Sequence, residues 1–166
     1  MKKIKILFLL LVCSSVMYAQ DTTAFKNSGY SVDHFVVYQT ANNTLTKYVA
    51  ILSDNSMWWT KAGEEWKKSG STGLPDMDIV HFNVLQTKRA TKYYVVLSNR
   101  SVWWALAGEN WKKSGSTGLP DMDIAHFNVV LSPEATRYYA ILSDNSVWWA
   151  LAGEDWKKSG SAGLPK

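Results

Sequence analysis

The stretch SVWWALAGENWKKSGSTGLP at residues 101–120 returns almost unchanged as SVWWALAGEDWKKSGSAGLP at residues 146–165. A less similar copy, SMWWTKAGEEWKKSGSTGLP, occupies residues 56–75, which is 45 residues before the first of the other two. Self-similarity at a fixed period of 20–50 residues is typical of propellers, solenoids and other repeat architectures. The chain is therefore predicted to contain one structural unit repeated three times.

Tryptophan marks the repeat most clearly, because all nine Trp of the 166-residue chain lie in the three units. A His-Phe pair also recurs, and its first interval is two residues longer because a polar loop at residues 40–46 is extended in the first unit. The landmarks that keep the 45-residue period are Trp58-Trp59, Trp103-Trp104 and Trp148-Trp149; Trp66, Trp111 and Trp156; and Gly73-Leu74-Pro75, Gly118-Leu119-Pro120 and Gly163-Leu164-Pro165.

Each unit is predicted to form four short β-strands. No stretch has a sustained 3.6-residue apolar period with helix caps, whereas short apolar runs alternate with turn residues every 8–12 residues. Asp144 and Asn145 mark one such turn, since both residue types tolerate a positive φ. The strands predicted for the third unit are residues 123–129, 138–142, 146–151 and 156–159. The fold class is therefore all-β, with three four-stranded antiparallel repeats.

Two architectures fit such units. A β-propeller blade is a four-stranded antiparallel sheet, usually repeated 4–8 times around a channel. The meander order of the strands and the longer Gly/Pro loop between units favour blades, whereas the count of three favours a β-trefoil if the chain is a monomer. Three blades alone would leave two unpaired ends. We therefore expect that two chains could close a six-bladed ring as a homodimer.

The units resemble the blades of fucose-binding β-propeller lectins and, more loosely, tectonin-type propeller repeats. The residues that carry this resemblance are Tyr93–Val96, residues 108–115 and the loop at Pro120-Asp121, with their counterparts in the other units. The resemblance implies propeller blades and sugar binding. The family's sugar-binding Glu and Arg fall on Trp103 and about Tyr93, so the resemblance does not imply fucose as the ligand.

The candidate ligand-binding residues are tryptophans and lysines that recur once per unit. An indole presents a large apolar plate with an electron-rich face, on which the C–H face of a sugar ring can stack. The Trp beside the Lys-Lys pair and a Gly turn is expected to be exposed, and one Trp of each Trp-Trp pair is expected to be core. The candidate residues are Trp66, Trp111 and Trp156; Trp58, Trp103 and Trp148; and Lys67, Lys112 and Lys157.

The first nineteen residues have the pattern of a secretory signal peptide, with Lys2, Lys3 and Lys5 before a short apolar run. That run is too short to cross a bilayer. We expect a secreted or periplasmic protein, with a signal peptide at 1–19, a polar leader at 20–33 and a three-repeat domain at 34–166, divided at 34–80, 81–125 and 126–166. A lipoprotein anchor at Cys13 is disfavoured because Val12, which precedes it, is not small.

Charge and motif content disfavour several functions. Three of the 18 basic residues lie in the signal peptide, so the rest of the chain carries fifteen basic against 14 acidic residues, and no nucleic-acid partner is expected. One His per unit, at His34, His81 and His126, predicts an outward-facing or hydrogen-bonded side chain on an alternating strand rather than a metal site. No nucleophile, phosphate-loop or zinc signature is present, and no cofactor or catalytic residue is predicted.

The expected function is therefore non-catalytic carbohydrate binding by a secreted, lectin-like repeat protein with one Trp-based site in each repeat. Glycans are the expected partners. The alternative is a secreted protein–protein interaction or structural module, in which the tryptophans serve only packing and no sugar binds.

Overall fold

The computed structural model describes residues 29–40, 45–132 and 135–160. These residues form twelve β-strands and no helix. The strands are β1 (Val32–Gln39), β2 (Thr46–Leu52), β3 (Met57–Lys61), β4 (Lys67–Lys68), β5 (Ile79–Gln86), β6 (Thr91–Leu97), β7 (Val102–Leu106), β8 (Lys112–Lys113), β9 (Ile124–Leu131), β10 (Thr136–Leu142), β11 (Val147–Leu151) and β12 (Lys157–Lys158).

The strands form three separate antiparallel sheets, each a four-stranded meander in chain order, with no closed barrel. This confirms the all-β class and the three repeated four-stranded units predicted from the sequence. We refer to sheets 1, 2 and 3 as β1–β4, β5–β8 and β9–β12. The sheets are compatible with three propeller blades. No helix in the described part of the chain is long and apolar enough to cross a membrane.

The strand bounds follow the prediction closely in the third unit. The predicted strand at 138–142 begins two residues earlier, at Thr136, and the predicted strand at 156–159 is only Lys157–Lys158. At the other end, β1 begins at Val32, inside the segment expected to be a polar leader. The signal peptide at 1–19, with Cys13, and the start of the leader lie outside the described residues.

The turn between the second and third strand of each sheet has a left-handed residue. Asn55, Arg100 and Asn145 have φ values of 59°, 64° and 65°. Asparagine adopts this conformation readily because its short side chain can hydrogen-bond locally. Arginine has no such advantage, so Arg100 is the exceptional residue of the three.

The two faces of each sheet meet different neighbours, because successive side chains of a strand point to opposite sides. We call the side that faces the following sheet the forward face and the opposite side the rear face. In β2, Val49 and Ile51 lie on the forward face and pack against sheet 2, whereas Ala50 and Leu52 lie on the rear face.

The core has one layer at each of the two junctions between sheets and a third cluster, around Ala50 and Leu52, on the rear face of sheet 1. Val49, Ile51 and Met57 of sheet 1 pack against a larger group from sheet 2. Tyr94, Val96 and Val102 on the forward face of sheet 2 pack in the same way against the rear face of sheet 3. Each sheet therefore depends on its neighbour for burial, and a cleft remains along each junction.

Backbone hydrogen bonds and histidines also join adjacent sheets. The ring nitrogen Nε2 of His34 lies 2.7 Å from the carbonyl oxygen of Ile79, and Nε2 of His81 lies 2.7 Å from that of Ile124. Because a carbonyl only accepts, each Nε2 is the donor. Of the two alternatives predicted for the histidines, these two are hydrogen-bonded, and each bond crosses a junction between sheets.

Candidate functional site

The first tryptophan of each pair stabilises its own hairpin. Trp58, Trp103 and Trp148 are half-buried on the rear faces, where each indole Nε1 donates to a serine two residues earlier at 2.9–3.0 Å. Trp103 and Trp148 also pack against the cores at the two junctions. The second tryptophan of each pair lies on the forward face, as the alternation of the strand requires.

The tryptophan before each Lys-Lys pair is more buried than the sequence predicted. Trp111 is only 8% exposed and Trp156 only 6%, so the expectation that these side chains would be exposed was wrong. Each side chain lies on the rear face of its sheet and packs into the junction with the preceding sheet. The backbone N–H of each tryptophan donates a hydrogen bond across that junction at 2.8 Å. Trp66, in the first sheet, is half-buried. The neighbouring glycines and lysines therefore did not indicate an exposed tryptophan, because the apolar contacts of the indole across the junction outweigh the polarity of its sequence neighbours.

The predicted lysines lie over the second tryptophan of each pair. The ammonium groups of Lys67, Lys112 and Lys157 are 5.1–5.4 Å from the ring centroids of Trp59, Trp104 and Trp149. Each ammonium also lies 3.6–3.7 Å from a glutamate carboxylate of its own turn. Cation–π contacts at exposed sites contribute about 0.5–1 kcal/mol.

Sequence reasoning missed a further cation at the same indoles. Lys47 lies 5.6 Å from the ring centroid of Trp59, and Lys92 lies 5.6 Å from that of Trp104. Trp59 and Trp104 thus each have two lysine ammonium groups within 5.6 Å of the ring centroid. Arg137 occupies the corresponding position in the third unit, and the 45-residue spacing of these three basic residues is the signal that could have identified them.

A polar cavity of about 240 Å³ lies between sheets 1 and 2, beside the turn that follows β2. Trp111 and Ile79 of sheet 2 line it, together with the turn between β2 and β3 and the segment that joins β4 to β5. The polar and charged side chains that line it are Asp54, Asn55, Ser56, Lys68, Ser69, Ser71, Thr72 and Asp76. The cavity thus combines an indole with carboxylate, amide, hydroxyl and ammonium groups.

The carboxylate of Asp54 is ionised in this cavity at neutral pH. Partial burial opposes ionisation, but hydrogen bonds from Ser56 and the positive charge of Lys68 outweigh it and hold the pKa of Asp54 below its usual value. The backbone N–H of Ser56 donates to its Oδ1 at 2.9 Å. Asp54 therefore offers its remaining lone pairs as acceptors.

The corresponding position at the second junction differs at two polar residues, because Asn99 replaces Asp54 and Arg100 replaces Asn55. The guanidinium of Arg100 forms an ion pair with Asp121, the counterpart of Asp76. In the first junction, Asn55 Nδ2 instead donates to the carbonyl of Met77 at 3.2 Å. Arg100 therefore spans two positions that line the cavity at the first junction, so the two clefts are not equivalent at this end.

A second cavity, of about 250 Å³, lies between sheets 2 and 3 at the opposite end of the strands. Its walls include Trp104, Lys92 and the rings of Tyr94 and Tyr138. Burial raises the pKa of both tyrosines, so both remain neutral hydroxyl groups at physiological pH. Tyr94 hydrogen-bonds to Thr136 and Tyr138 to Ser114, so these hydroxyls already have protein partners.

The predicted site residues therefore do not converge on one place. Trp111 lines the first cavity, the three lysines cover the forward-face indoles, and Trp156 lies in the core between sheets 2 and 3. Among the described residues there is no group of three or more histidine, cysteine, aspartate or glutamate side chains that could hold a metal ion. The arrangement offers hydrogen-bonding and stacking groups at the junctions.

No protein-family model matches the sequence, and neither the curated proteins nor the solved structures include a match to it.

Proposed function

We propose that this protein is a secreted, non-catalytic carbohydrate-binding protein of lectin type, built from propeller blades, with its binding sites in the clefts between adjacent sheets. The observation that carries the proposal is the cavity at the first junction, where Trp111 lies among Asp54, Asn55 and Asp76. Carboxylate and amide oxygens accept hydrogen bonds from sugar hydroxyls, and an indole packs against the C–H groups of a sugar ring. Secretion rests on the signal-peptide pattern at residues 1–19.

The size of the cavity indicates a small ligand. Its volume of about 240 Å³ is below the ~300–1,000 Å³ of typical small-molecule pockets. One sugar ring, at the end or branch of a glycan, is therefore the unit that we propose it holds. A single shallow site of this kind binds weakly, so several sites on one assembly would strengthen binding to a surface that carries many glycans.

The glutamates of the turns are ion-paired within their own units. Glu64, Glu109 and Glu154 occur once per sheet, and each is bound by lysines of its own turn at 3.1–3.7 Å. Glycoside hydrolysis by two carboxylates requires both on opposite sides of one bond, about 5–9.5 Å apart. The ion pairs instead hold each of these carboxylates at the surface of its own repeat, which supports a binding role.

The test is binding of the labelled protein to a broad glycan array, with the variant Asp76→Asn and a matched control, Asp78→Asn. Both aspartates are exposed in the same loop, but only Asp76 lines the cavity. A charged hydrogen bond contributes about 1.5–3 kcal/mol, so D76N should weaken binding to the preferred glycans about tenfold or more. D78N should bind as the unchanged protein does. Equal binding by all three proteins would refute the site.

The alternative function is an interaction or structural module without sugar binding. The burial of Trp111 and Trp156 favours it, because both side chains contribute to packing whether or not a ligand binds. The same array distinguishes the two functions: no binding by a folded protein, verified by near-ultraviolet circular dichroism, would exclude the carbohydrate-binding function and leave the interaction module.

A further inference from the structure

The two cavities between the sheets differ in the charge of their linings. Asp54 and Asp76 bring two carboxylates to the cavity between sheets 1 and 2, against the single ammonium group of Lys68. The cavity between sheets 2 and 3 is lined by Lys92 and Lys113 and, among the described residues, by no aspartate or glutamate. Because opposite charges attract, the second cavity is the one that favours an anionic group.

The ammonium group of Lys92 is available to bind such a group. Its Nζ lies 5.6 Å from the ring centroid of Trp104, which also lines the cavity. Lys112 contacts the same indole, but its Nζ lies 3.6 Å from the carboxylate of Glu109. Lys92 forms no ion pair within the described part of the chain. An ammonium group has three N–H donors and no acceptor, so Lys92 can donate directly to an anion.

The tyrosines of the cavity add neutral hydroxyl groups. Tyr94 of sheet 2 is 2% exposed and Tyr138 of sheet 3 is 1% exposed, with 5.9 Å between their ring centroids. Burial raises the pKa of both, so both keep their protons at neutral pH. Tyr94 hydrogen-bonds to Thr136. Two hydroxyl groups have two hydrogens and one mutual bond uses only one of them, so this pair retains an O–H that can donate to an anion.

The first junction repeats the lysine and the indole but not this hydroxyl group. Lys47 lies 5.6 Å from the ring centroid of Trp59, the same contact that Lys92 makes in the second unit. Val49 takes the position of Tyr94, so the side chain beside that lysine is apolar. The combination of an unpaired ammonium with a buried O–H donor therefore distinguishes the second junction from the first.

We propose that the cavity between sheets 2 and 3 binds the carboxylate or sulfate group of an acidic sugar, with Lys92 as the charged donor and the pair Tyr94 and Thr136 as a neutral donor. Hydrogen bonds between an ammonium group and an oxyanion are roughly twice as strong as neutral ones. The volume of about 250 Å³ is close to that of the first cavity, so the unit that binds is again one sugar residue. That the anion belongs to a sugar rests on the proposed function, whereas the anion site itself does not.

The test is a titration of the isotope-labelled protein, followed by the indole N–H signals of its tryptophans in nuclear magnetic resonance spectra. The acidic probes are glucuronate and galacturonate. Glucose and galactose are their matched neutral probes, because they carry a hydroxymethyl group where the acids carry a carboxylate. The same two sugars sulfated at the hydroxymethyl group distinguish sulfate from carboxylate. The signal of Trp104, assigned by its loss in Trp104→Phe, should move with at least one acidic or sulfated probe and stay in place with the neutral ones.

Two glutamine variants identify the lysine that is responsible. Lys92→Gln removes the charged donor and should weaken binding of the acidic probe about tenfold. Lys47→Gln is the matched control, because it removes the same charge and the same kind of indole contact from sheet 1, and it should bind as the unchanged protein does. Near-ultraviolet circular dichroism verifies that both variants are folded.

Several outcomes would overturn the proposal. These are equal movement of the Trp104 signal with neutral and acidic probes, unchanged binding by K92Q, and equal weakening in K92Q and K47Q. If Trp104 responds to inorganic sulfate but to no acidic sugar, the sugar assignment is wrong. Array binding that D76N weakens, without any response of Trp104 to the acidic sugars, would overturn this inference alone and leave the proposed function intact.

Discussion

The burial of Trp111 leads to a strong prediction about stability. This side chain is 8% exposed and packs against apolar residues of both sheet 1 and sheet 2. A buried aromatic side chain removes about 150–250 Å² from water, at roughly 25 cal/mol for each Å² of apolar surface. With the cavity that remains, Trp111→Ala should lower the free energy of unfolding by about 3–5 kcal/mol. That is a large part of the ~5–15 kcal/mol that stabilises a typical domain.

The measurement is urea unfolding followed by circular dichroism, with Trp66→Ala as the comparison. Trp66 holds the same position in sheet 1 but is half-buried, so its removal should have a smaller effect. A loss of 3–5 kcal/mol corresponds to a fall in melting temperature of roughly 6–20 °C for a chain of this size. A loss below about 1 kcal/mol for Trp111→Ala, or equal losses for the two variants, would refute the conclusion that Trp111 joins the two sheets.

Three further predictions concern the turn at Asn145, the contact between Lys112 and Trp104, and the titration of Tyr93. Asn145→Ala should lower the free energy of unfolding by about 1–2 kcal/mol, because φ is 65° at this position and alanine disfavours a left-handed conformation. Asn145→Gly should not lower it, and the urea midpoint of each variant measures the difference. Lys112→Ala should lower it by about 0.5–1 kcal/mol and shift the fluorescence of Trp104, whose ring the ammonium contacts, whereas Lys113→Ala should leave that fluorescence unchanged. Burial raises the pKa of Tyr93, so stability should be fully present below the usual tyrosine value near ~10 and decline as pH rises above it. Tyr93→Phe should make that alkaline decline, followed by denaturant titration, less steep.

The prediction from the sequence was most accurate where the structure depends on neighbouring residues. The turn at Asp144-Asn145 was predicted because both residues tolerate a positive φ, and Asn145 adopts one. The alternation within Trp103-Trp104 was predicted because successive strand residues point to opposite faces, and the register places them so. These features require only the local chain, which is why residue type and spacing were sufficient.

The prediction was least accurate for exposure. Trp111 and Trp156 lie beside lysines and a glycine turn, which locally indicates a surface, yet each side chain folds back into the junction with the preceding sheet. The same residue type at Trp66, on the rear face of the first sheet, is half-buried. Three nearly identical sequences thus have different environments, since exposure depends on which sheet lies opposite.

The cavity between sheets 1 and 2 also could not be predicted from the sequence. Asp54 and Trp111 are far apart in the sequence and belong to different repeats, so only the packing of sheet 2 against sheet 1 brings both to one cavity. The exchange of Asn55 for Arg100 was visible in the sequence, but its ion pair with Asp121 became apparent only when the strands placed the two side chains together.

The sequence by itself determined the three-repeat organisation, the all-β class and the order of strands and turns, because a period of 45 residues and local turn chemistry encode them. The tertiary structure decided which tryptophans are core and where the cavities lie. The physical reason is that burial and cleft formation arise from contacts between units, and units of similar sequence differ in those contacts.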